Sequence, residues 1–342
     1  MTAPECSLLL RSLFQRRNLT AAESAYAVGA IMEGQWTASQ ASALLAALAT
    51  KGESVEEVVG AACAMRERGV RVAHALDLVL DVCGTGGDAV GTINVSTCAG
   101  LVVAGCGVAV AKHGNRAASS RCGSADVLEA AGARIDGDPE EARTRLERDH
   151  FAFLFAPRYH PAMRSVAGVR RELRVRTVFN ILGPLTNPAA ATHQVVGVAL
   201  ESHVELVGEA LQALGARAGA VLHAANGIDE IAGDAPTHVF QFGPSGVHRY
   251  VIHPEDYDIR APLKSLLGSE PAANAAALRS IVGGERSPRA DVIALNAALA
   301  LVIAERAESL REGLALARAS IASGAALAVL AALQRPAALE CA

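Results

Sequence analysis

Residues 78–88 read LVLDVCGTGGD, an apolar run that ends in a glycine-rich turn. The run 78–82 predicts a short buried strand, and Gly84, Gly86 and Gly87 allow the chain to turn sharply after it. Glycines after a strand let backbone N–H groups approach an anion, and the N-terminus of the next helix adds its dipole. A plain strand-to-helix turn explains the glycines alone about equally well.

Strand and helix patterns alternate downstream of this run, which predicts an α/β fold with a parallel-type sheet. We predict helices from about Ser96, at 124–131, from the cap Asp138, at 162–173 and at 290–306. We predict further strands at 108–111, 151–155, 194–198, 218–223 and 239–242.

The first 70 residues have a different pattern, that of a small all-helical domain. Capping boxes at Thr20–Glu23, Thr37–Gln40 and Ser54–Glu57 each precede an apolar helical repeat. We therefore predict a helical domain over 1–70 and a large α/β domain over 71–342. The arginine-rich, turn-rich segment 157–188 is predicted to cross back to the helical domain.

Composition excludes several classes of protein. The chain has 342 residues, of which 51% are hydrophobic, and a formal net charge of −4. This much apolar surface excludes disorder, and the acidic balance argues against a nucleic-acid partner. No uncharged run reaches the length that spans a bilayer, so we expect no membrane partner. The seven cysteines contain no CxxC pair, which argues against a disulfide framework and favours the cytoplasm.

Two polar clusters accompany the glycine loop. Asn94, Ser96 and Thr97 stand at the start of the next helix, where they either cap it or hold a phosphate and its Mg²⁺. Lys112-His113-Gly114-Asn115-Arg116 follows the second predicted strand, at the sheet edge where α/β proteins bind ligands. We favour an anion-binding loop there over a solvated turn. The position of Lys112 disfavours NAD binding, which expects an acidic residue after that strand.

Arg170 and an acidic pair complete the candidates. Arg170 falls within the apolar stripe that Met163, Val166, Ala167 and Leu173 form on the predicted helix 162–173. An inward guanidinium needs an anion, either a ligand carboxylate or a structural acidic residue. Asp229-Glu230 follows a predicted strand and suits Mg²⁺ coordination, although adjacent acids are also common on surfaces.

Taken together, four motifs closely resemble those of the anthranilate phosphoribosyltransferase family, in order along nearly the whole chain. They are CGTGGD at 83–88, Asn94 with Ser96-Thr97, Lys112 to Arg116 with SAD at 124–126, and FNILGPLTNP at 179–188. The resemblance implies a small helical domain with a large α/β domain, in the nucleoside phosphorylase/phosphoribosyltransferase-like fold. It also implies a Mg²⁺-dependent homodimer that joins anthranilate to 5-phosphoribosyl 1-pyrophosphate (PRPP), the second step of tryptophan biosynthesis from chorismate.

The resemblance further implies a role for individual residues. Those matching PRPP-binding positions are Gly84, Gly87, Asp88, Thr92, Asn94, Ser96, Thr97, Lys112, Asn115, Ser120 and Ser124. Those matching anthranilate-binding positions are Gly84, His113, Asn115, Arg170 and Pro184, and those matching metal positions are Ser96, Asp229 and Glu230. The implied mode of catalysis is positioning of the substrates, without a covalent nucleophile, by Arg170, Lys112 and Asn115.

Two residues depart from the family pattern. Asn226 replaces the usual Asp before the acidic pair, which removes a carboxylate that we expect near the metals. Gly168 replaces the usual Pro, which we expect to loosen the helix of Arg170. Three alternatives fit the sequence less well: a pyrimidine nucleoside phosphorylase, a non-catalytic nucleic-acid-binding relative and an NADP-dependent oxidoreductase.

Overall fold

A computed structural model describes residues 5–87, 90–117 and 121–335. Four helices come first, α1 (Cys6–Phe14), α2 (Ala21–Met32), α3 (Ala38–Lys51) and α4 (Val55–Glu67). The α/β part then runs β1 (Leu80–Gly84), α5 (Val95–Gly105), β2 (Val110–Gly114), α6 (Ser124–Ala130), α7 (Pro139–Asp149), β3 (Phe151–Phe155), α8 (Ala156–Tyr159), α9 (Arg164–Leu173), α10 (Leu182–Leu185), β4 (His193–Gly197), α11 (His203–Ala213), β5 (Ala218–Ala224), β6 (Thr237–Gly243) and β7 (Gly246–Ile252). The chain continues through α12 (Pro271–Val282), α13 (Pro288–Ile303), α14 (Leu310–Ala322) and α15 (Ala325–Leu333).

The three predicted capping boxes are confirmed at the starts of α2, α3 and α4. In each, the side chain of the cap residue accepts from the N–H of the third helical residue. The side chain of that third residue accepts in turn from the N–H of the cap residue. These reciprocal bonds satisfy two donors that the first helical turn leaves without a partner. Local sequence therefore fixes where these helices begin.

The sheet is mixed, whereas the sequence pattern predicted parallel strands. In the described part of the chain the order is β3-β2-β1-β4-β5-β6-β7. The strands β3, β2, β1, β4 and β5 are parallel, and β6 and β7 join them as an antiparallel edge. The strand β7 was not predicted, because its side chains are mostly exposed and lack an apolar alternation.

The strands β1 and β2 both begin and end later than predicted. The strand β2 extends to Gly114, so Lys112 and His113 lie within the strand and not in the loop after it. Both side chains are buried, and Lys112 Nζ and His113 Nδ1 form hydrogen bonds to neighbouring segments. Such bonds allow polar residues inside a central strand, where an apolar pattern cannot reveal them.

Apolar clusters cover both faces of the sheet. One face packs against α5, α6 and α12–α15. On the other face, Val196, Val221 and Phe240 belong to the same buried cluster as Leu44 and Val58 of the N-terminal helices. The segment 166–185 contributes Val166, Phe179 and further residues to that cluster. The predicted boundaries of the two domains stay a prediction.

No single helix in the described ranges is long and apolar enough to cross a bilayer. Only α14 and α15 together pass that test, and they are bent by 61° relative to each other.

Candidate active site

A cavity of about 580 Å³ opens at the carboxyl ends of β1 and β2, beside α9. Every predicted site residue that the structure describes lines it. These residues are Gly84, Gly87, Thr92, Asn94, Ser96, Thr97, Lys112, His113, Asn115, Ser124, Arg170, Pro184, Asp229 and Glu230. The other two predicted residues, Asp88 and Ser120, lie outside the described residues.

The glycine loop packs directly against the acidic pair. The carboxylate of Asp229 accepts a hydrogen bond from Gly86 N at 3.1 Å. A Cβ atom at Gly84 would overlap the same carboxylate, so only glycine allows this approach. Gly86 and Gly87 both have left-handed backbones, with φ of 64° and 78°. The loop therefore needs glycine for its shape as well as for its contact.

The start of α5 faces the cavity without a side-chain cap. Asn94 stands at the N-cap position, yet its side chain donates to Cys122 O at 3.1 Å and accepts from Asn274 at 3.2 Å. The capping explanation of Asn94 is therefore wrong for its side chain. An uncapped helix N-terminus is a favourable place for an anion.

Lys112 lies beneath this helix start. Its ammonium group donates to Val82 O at 2.6 Å and to Ser96 Oγ at 3.2 Å. Burial lowers the pKa of Lys112, and the nearby carboxylate of Asp81 opposes that change. Lys112 thus adds positive charge at the base of the cavity, while its hydrogen bonds go to the protein.

The loop after β2 is braced by α6. Asn115 accepts from Arg116 N at 2.7 Å through its own side chain, and its carbonyl accepts from Ser124 Oγ at 3.3 Å. Arg116 pairs with Asp126 and Glu129 on α6. Asn115 and Arg116 remain exposed at the cavity mouth, where they can reach a ligand.

Arg170 faces the cavity and not the core. The buried stripe of α9 consists of Val166 and Val169, whereas Met163, Ala167 and Arg170 line the cavity. The Arg170 guanidinium has no hydrogen-bonded or ion-paired partner among the described residues. Burial lowers its pKa. The sequence predicted that Arg170 points inward and needs an anion, either a ligand carboxylate or a structural acidic residue. Arg170 does point inward, and no acidic residue pairs with it among the described residues.

Two buried histidines lie beside this arginine. The rings of His113 and His160 have centroids 5.0 Å apart. The Nδ1 atom of His113 lies 3.0 Å from the carbonyl of Gly183, which can only accept, so Nδ1 carries the proton. Burial lowers the pKa of His113 to about 3 and that of His160 to about 4. Both imidazoles are therefore neutral near pH 7.

A buried carboxylate joins the strands to the segment 178–188. Asp81 accepts from Asn187 Nδ2 at 2.7 Å and from His113 N at 3.3 Å. Asn187 also donates to Ala111 O at 2.7 Å. Burial raises the pKa of Asp81 to about 6. These bonds hold Gly183 and Pro184 against the end of β2.

The oxygen donors suit a magnesium ion. Ser96, Asp229 and Glu230 offer one hydroxyl and two carboxylates to the same cavity, and Mg²⁺ prefers such ligands together with water and phosphate oxygens. Across the described ranges, no group of three or more His, Cys, Asp or Glu side chains is placed to hold a metal by itself. An ion here would therefore need ligands from a substrate.

The side chain of Asn226 pairs with an acidic residue, Asp234. Its Nδ2 donates to Asp234 Oδ1 at 2.9 Å, and Asn226 is not among the described residues that line the cavity. That Asn226 removes a carboxylate near the metals stays a prediction.

The chain was compared with protein families and with curated relatives. Residues 7–69 match the family described as "Glycosyl transferase family, helical bundle domain", and residues 76–327 match "Glycosyl transferase family, a/b domain". The anthranilate phosphoribosyltransferase of Rubrobacter xylanophilus is 50% identical over 94% of this chain and 94% of its own. That of Symbiobacterium thermophilum is 48% identical, covering 94% and 95%.

The chain belongs to the anthranilate phosphoribosyltransferase family.

Solved structures of this family share the fold. The enzyme from Thermus thermophilus has a TM-score of 0.90 and 44% identity, covering 95% of this chain and 98% of its own. The Saccharomyces cerevisiae enzyme in complex with PRPP and Mg has a TM-score of 0.89 and 25% identity, covering 98% and 99%. The expected fold, a small helical domain with an α/β domain, and the expected enzyme class are confirmed. The competing phosphorylase, nucleic-acid-binding and oxidoreductase hypotheses were wrong.

Several residues of the anthranilate phosphoribosyltransferase cavity were missed from sequence. His160, Arg164 and Phe179 all line it. A usable signal existed for His160, because it follows the end of β3 at the same sheet edge as the loop after β2. For Phe179 no such signal existed, since no strand or helix pattern covers its segment.

Proposed function

We propose that this cavity transfers the phosphoribosyl group of PRPP to the amine of anthranilate, giving N-(5-phosphoribosyl)anthranilate and pyrophosphate. The bond between ribose C1 and the amine nitrogen forms while the bond from C1 to the pyrophosphate oxygen breaks. The electron pair of the broken bond leaves with pyrophosphate, and the amine loses one proton to water. An aromatic amine is uncharged at neutral pH, so its lone pair is available without a strong base.

PRPP is proposed to bind at the glycine loop and the start of α5. The backbone N–H of Gly87, the hydroxyls of Ser96 and Thr97 and the uncapped helix terminus all favour phosphate there. Ser96, Asp229 and Glu230 would hold Mg²⁺. That ion, when bound, neutralises charge on the departing pyrophosphate. Lys112 supports the same charge from beneath α5.

Anthranilate is proposed to bind beside α9. The observation that carries this proposal is the Arg170 guanidinium, which faces the cavity with no anionic partner among the described residues. A carboxylate fits its two-pronged donors. Neutral His113 and His160 and the ring of Phe179 suit an uncharged aromatic ring. Catalysis then consists mainly of holding the two substrates in reacting geometry, and we expect no covalent intermediate with the enzyme.

The resemblance to the family also leads us to propose a homodimer that acts in tryptophan biosynthesis, and the cysteine pattern favours the cytoplasm. Light scattering of the purified protein tests the dimer, and cell fractionation tests the location. A monomer at micromolar concentration would contradict the first.

Anthranilate fluorescence tests the reaction directly. We expect the signal to fall only when PRPP and Mg²⁺ are both present. Omitting either one is the internal control. No change with well-folded protein would contradict the proposed function.

A further inference from the structure

The carbonyl groups of the glycine loop are also contacted, by Arg176. Its Nη2 donates to Gly86 O at 2.9 Å, and its Nη1 donates to Gly87 O at 2.8 Å. Arg176 is half-buried and is not among the described residues that line the cavity. Its hydrogen bonds are with the carbonyls of the loop.

The bond to Gly86 O fixes the direction of the peptide group that joins Gly86 to Gly87. No peptide bond in the described part of the chain is cis. In a trans peptide the carbonyl and the following N–H point in opposite directions. Because the Gly86 carbonyl points at Arg176, the N–H of Gly87 points away from it, towards the cavity that both glycines line.

The fit between Arg176 and the loop is close. A Cβ at Gly87 would lie 2.8 Å from Arg176 Nη1, so a side chain there would displace the guanidinium. On its other side the loop is held by Asp229, which accepts from Gly86 N. The left-handed loop is thus fixed by an arginine on its carbonyls and by a carboxylate on one amide.

Arg176 also lies in the segment that forms the anthranilate side. It follows α9, which carries Arg170, and it precedes Phe179, whose ring packs under the Arg170 guanidinium. Thr177 N donates to Asn180 Oδ1 at 3.0 Å, which fixes the turn directly after Arg176. One short segment therefore contacts both proposed subsites.

We propose that Arg176 is a positioning residue for PRPP. Its bond to Gly86 O turns the N–H of Gly87 towards the phosphates, and its bond to Gly87 O holds the guanidinium against the loop. Arg176 does not touch PRPP itself. This inference rests on the proposed function, because it takes PRPP as the ligand of the loop.

The test compares R176A and R176K with R171A in the fluorescence assay with Mg²⁺. Arg171 lies on the exposed surface of α9, so R171A removes one positive charge nearby without touching the loop. We expect R176A to raise the KM for PRPP by about 10- to 100-fold, because two charge-assisted hydrogen bonds are lost. The KM for anthranilate and the Tm should stay near wild type. R176K keeps the charge but lacks the rigid, planar fork of the guanidinium, so its effect should fall between wild type and R176A.

A second measurement does not depend on turnover. Calorimetric titration of inorganic pyrophosphate with Mg²⁺ should give weaker binding to R176A than to R171A. Amide hydrogen exchange in a peptide spanning 80–87 should be faster in R176A without any ligand.

The measurements distinguish a positioning role of Arg176 from a merely structural one. An unchanged PRPP KM in R176A overturns the proposal, and so does an equal rise in both KM values with a lowered Tm, which indicates a merely structural role. If R176A does not fold, R176K decides by the same criteria. Wild-type protein that consumes no anthranilate contradicts the proposed function itself, whereas active wild type with an unaffected R176A contradicts only this inference.

Discussion

The Cζ atom of Arg170 lies 5.8 Å from the centre of the Phe179 ring, so the guanidinium packs over an aromatic face at the cavity wall. This contact holds the charge in place at little conformational cost when an anion arrives. It also explains how a half-buried arginine is tolerated without an acidic partner among the described residues.

Replacing Arg170 by Ala should therefore impair one substrate selectively. We expect the anthranilate KM to rise by about 10- to 100-fold, because a charge-assisted, two-pronged contact is lost. The PRPP KM should change little, since the glycine loop and not Arg170 is the proposed phosphate site. Steady-state kinetics with each substrate varied in turn check this, with R171A as the charge control. Equal effects on both KM values would count against the assigned role.

Gly168 lies within α9, and a Cβ there would meet no atom within 4 Å. The variant G168A should therefore stabilise the protein by about 1 kcal/mol through helix propensity. In contrast, a Cβ at Gly60 would overlap the backbone of Ala21, so G60A should destabilise by about 1–3 kcal/mol. Urea unfolding of both variants checks the pair, and a G168A variant less stable than wild type would show that α9 is strained there.

Gly84 contacts the proposed metal ligand Asp229. In G84A the added methyl group must displace that carboxylate, so we expect the Mg²⁺ concentration for half-maximal activity to rise about tenfold. The variant G168A is the matched control, because the added methyl group there contacts no other atom. Titrating Mg²⁺ at saturating PRPP makes the comparison, and identical Mg²⁺ curves for the two variants would refute it.

Asn226 pairs with Asp234. Restoring the family's usual residue with N226D would place two carboxylates together, so we expect a loss of about 1–2 kcal/mol in stability at pH 7. The Mg²⁺ requirement should stay unchanged. N226A removes the hydrogen bond without adding charge and separates the two effects. Tighter Mg²⁺ binding by N226D would show that this position does serve the metals.

The buried histidines predict a pH effect on stability. His113 and His160 have folded-state pKa values of about 3 and about 4, below the value of roughly 6.5 for an unfolded chain. Between those values the unfolded state binds more protons, so their contribution is present above pH 6.5 and is lost as pH falls towards 4. Asp81, with a folded pKa of about 6, acts in the opposite direction over part of this window.

The two histidines lower the free energy of unfolding more than Asp81 raises it as pH falls. We therefore expect stability to fall between pH 6.5 and pH 5. In H160N that decline should be shallower. Urea unfolding at several pH values measures both slopes, and parallel slopes for wild type and H160N would contradict this assignment.

Much of the fold could be predicted because its signals are local. The capping boxes depend only on residues three positions apart, and the turn after β1 depends on glycines that the backbone itself requires. β7 could not be predicted in this way, because pairing with β6 and not an apolar pattern defines it. The extent of β2 also depends on distant partners, since Val82 and Gly183 accept hydrogen bonds from Lys112 and His113.

The site also contains residues that the sequence identifies and residues that it does not. Residues in long motifs, such as Ser96 and Asn115, could be identified from sequence. The face of α9 could not be assigned correctly, because a periodic apolar stripe does not distinguish a core from a cavity wall. Arg176 carries no sequence signal for its contact at all, since its partners are backbone carbonyls some 90 residues away.

The single apolar cluster that joins the N-terminal helices to one face of the sheet has a consequence for protein engineering. Leu44 and Val58 share their interior with Val196 and Phe240, so the N-terminal helices have no complete interior of their own. A fragment ending near residue 69 should therefore aggregate or stay unfolded when produced alone. Chimaeras between family members should tolerate exchange of the N-terminal helices only if the facing sheet residues are exchanged with them. Thermal unfolding of the intact chain should be a single cooperative transition across both parts.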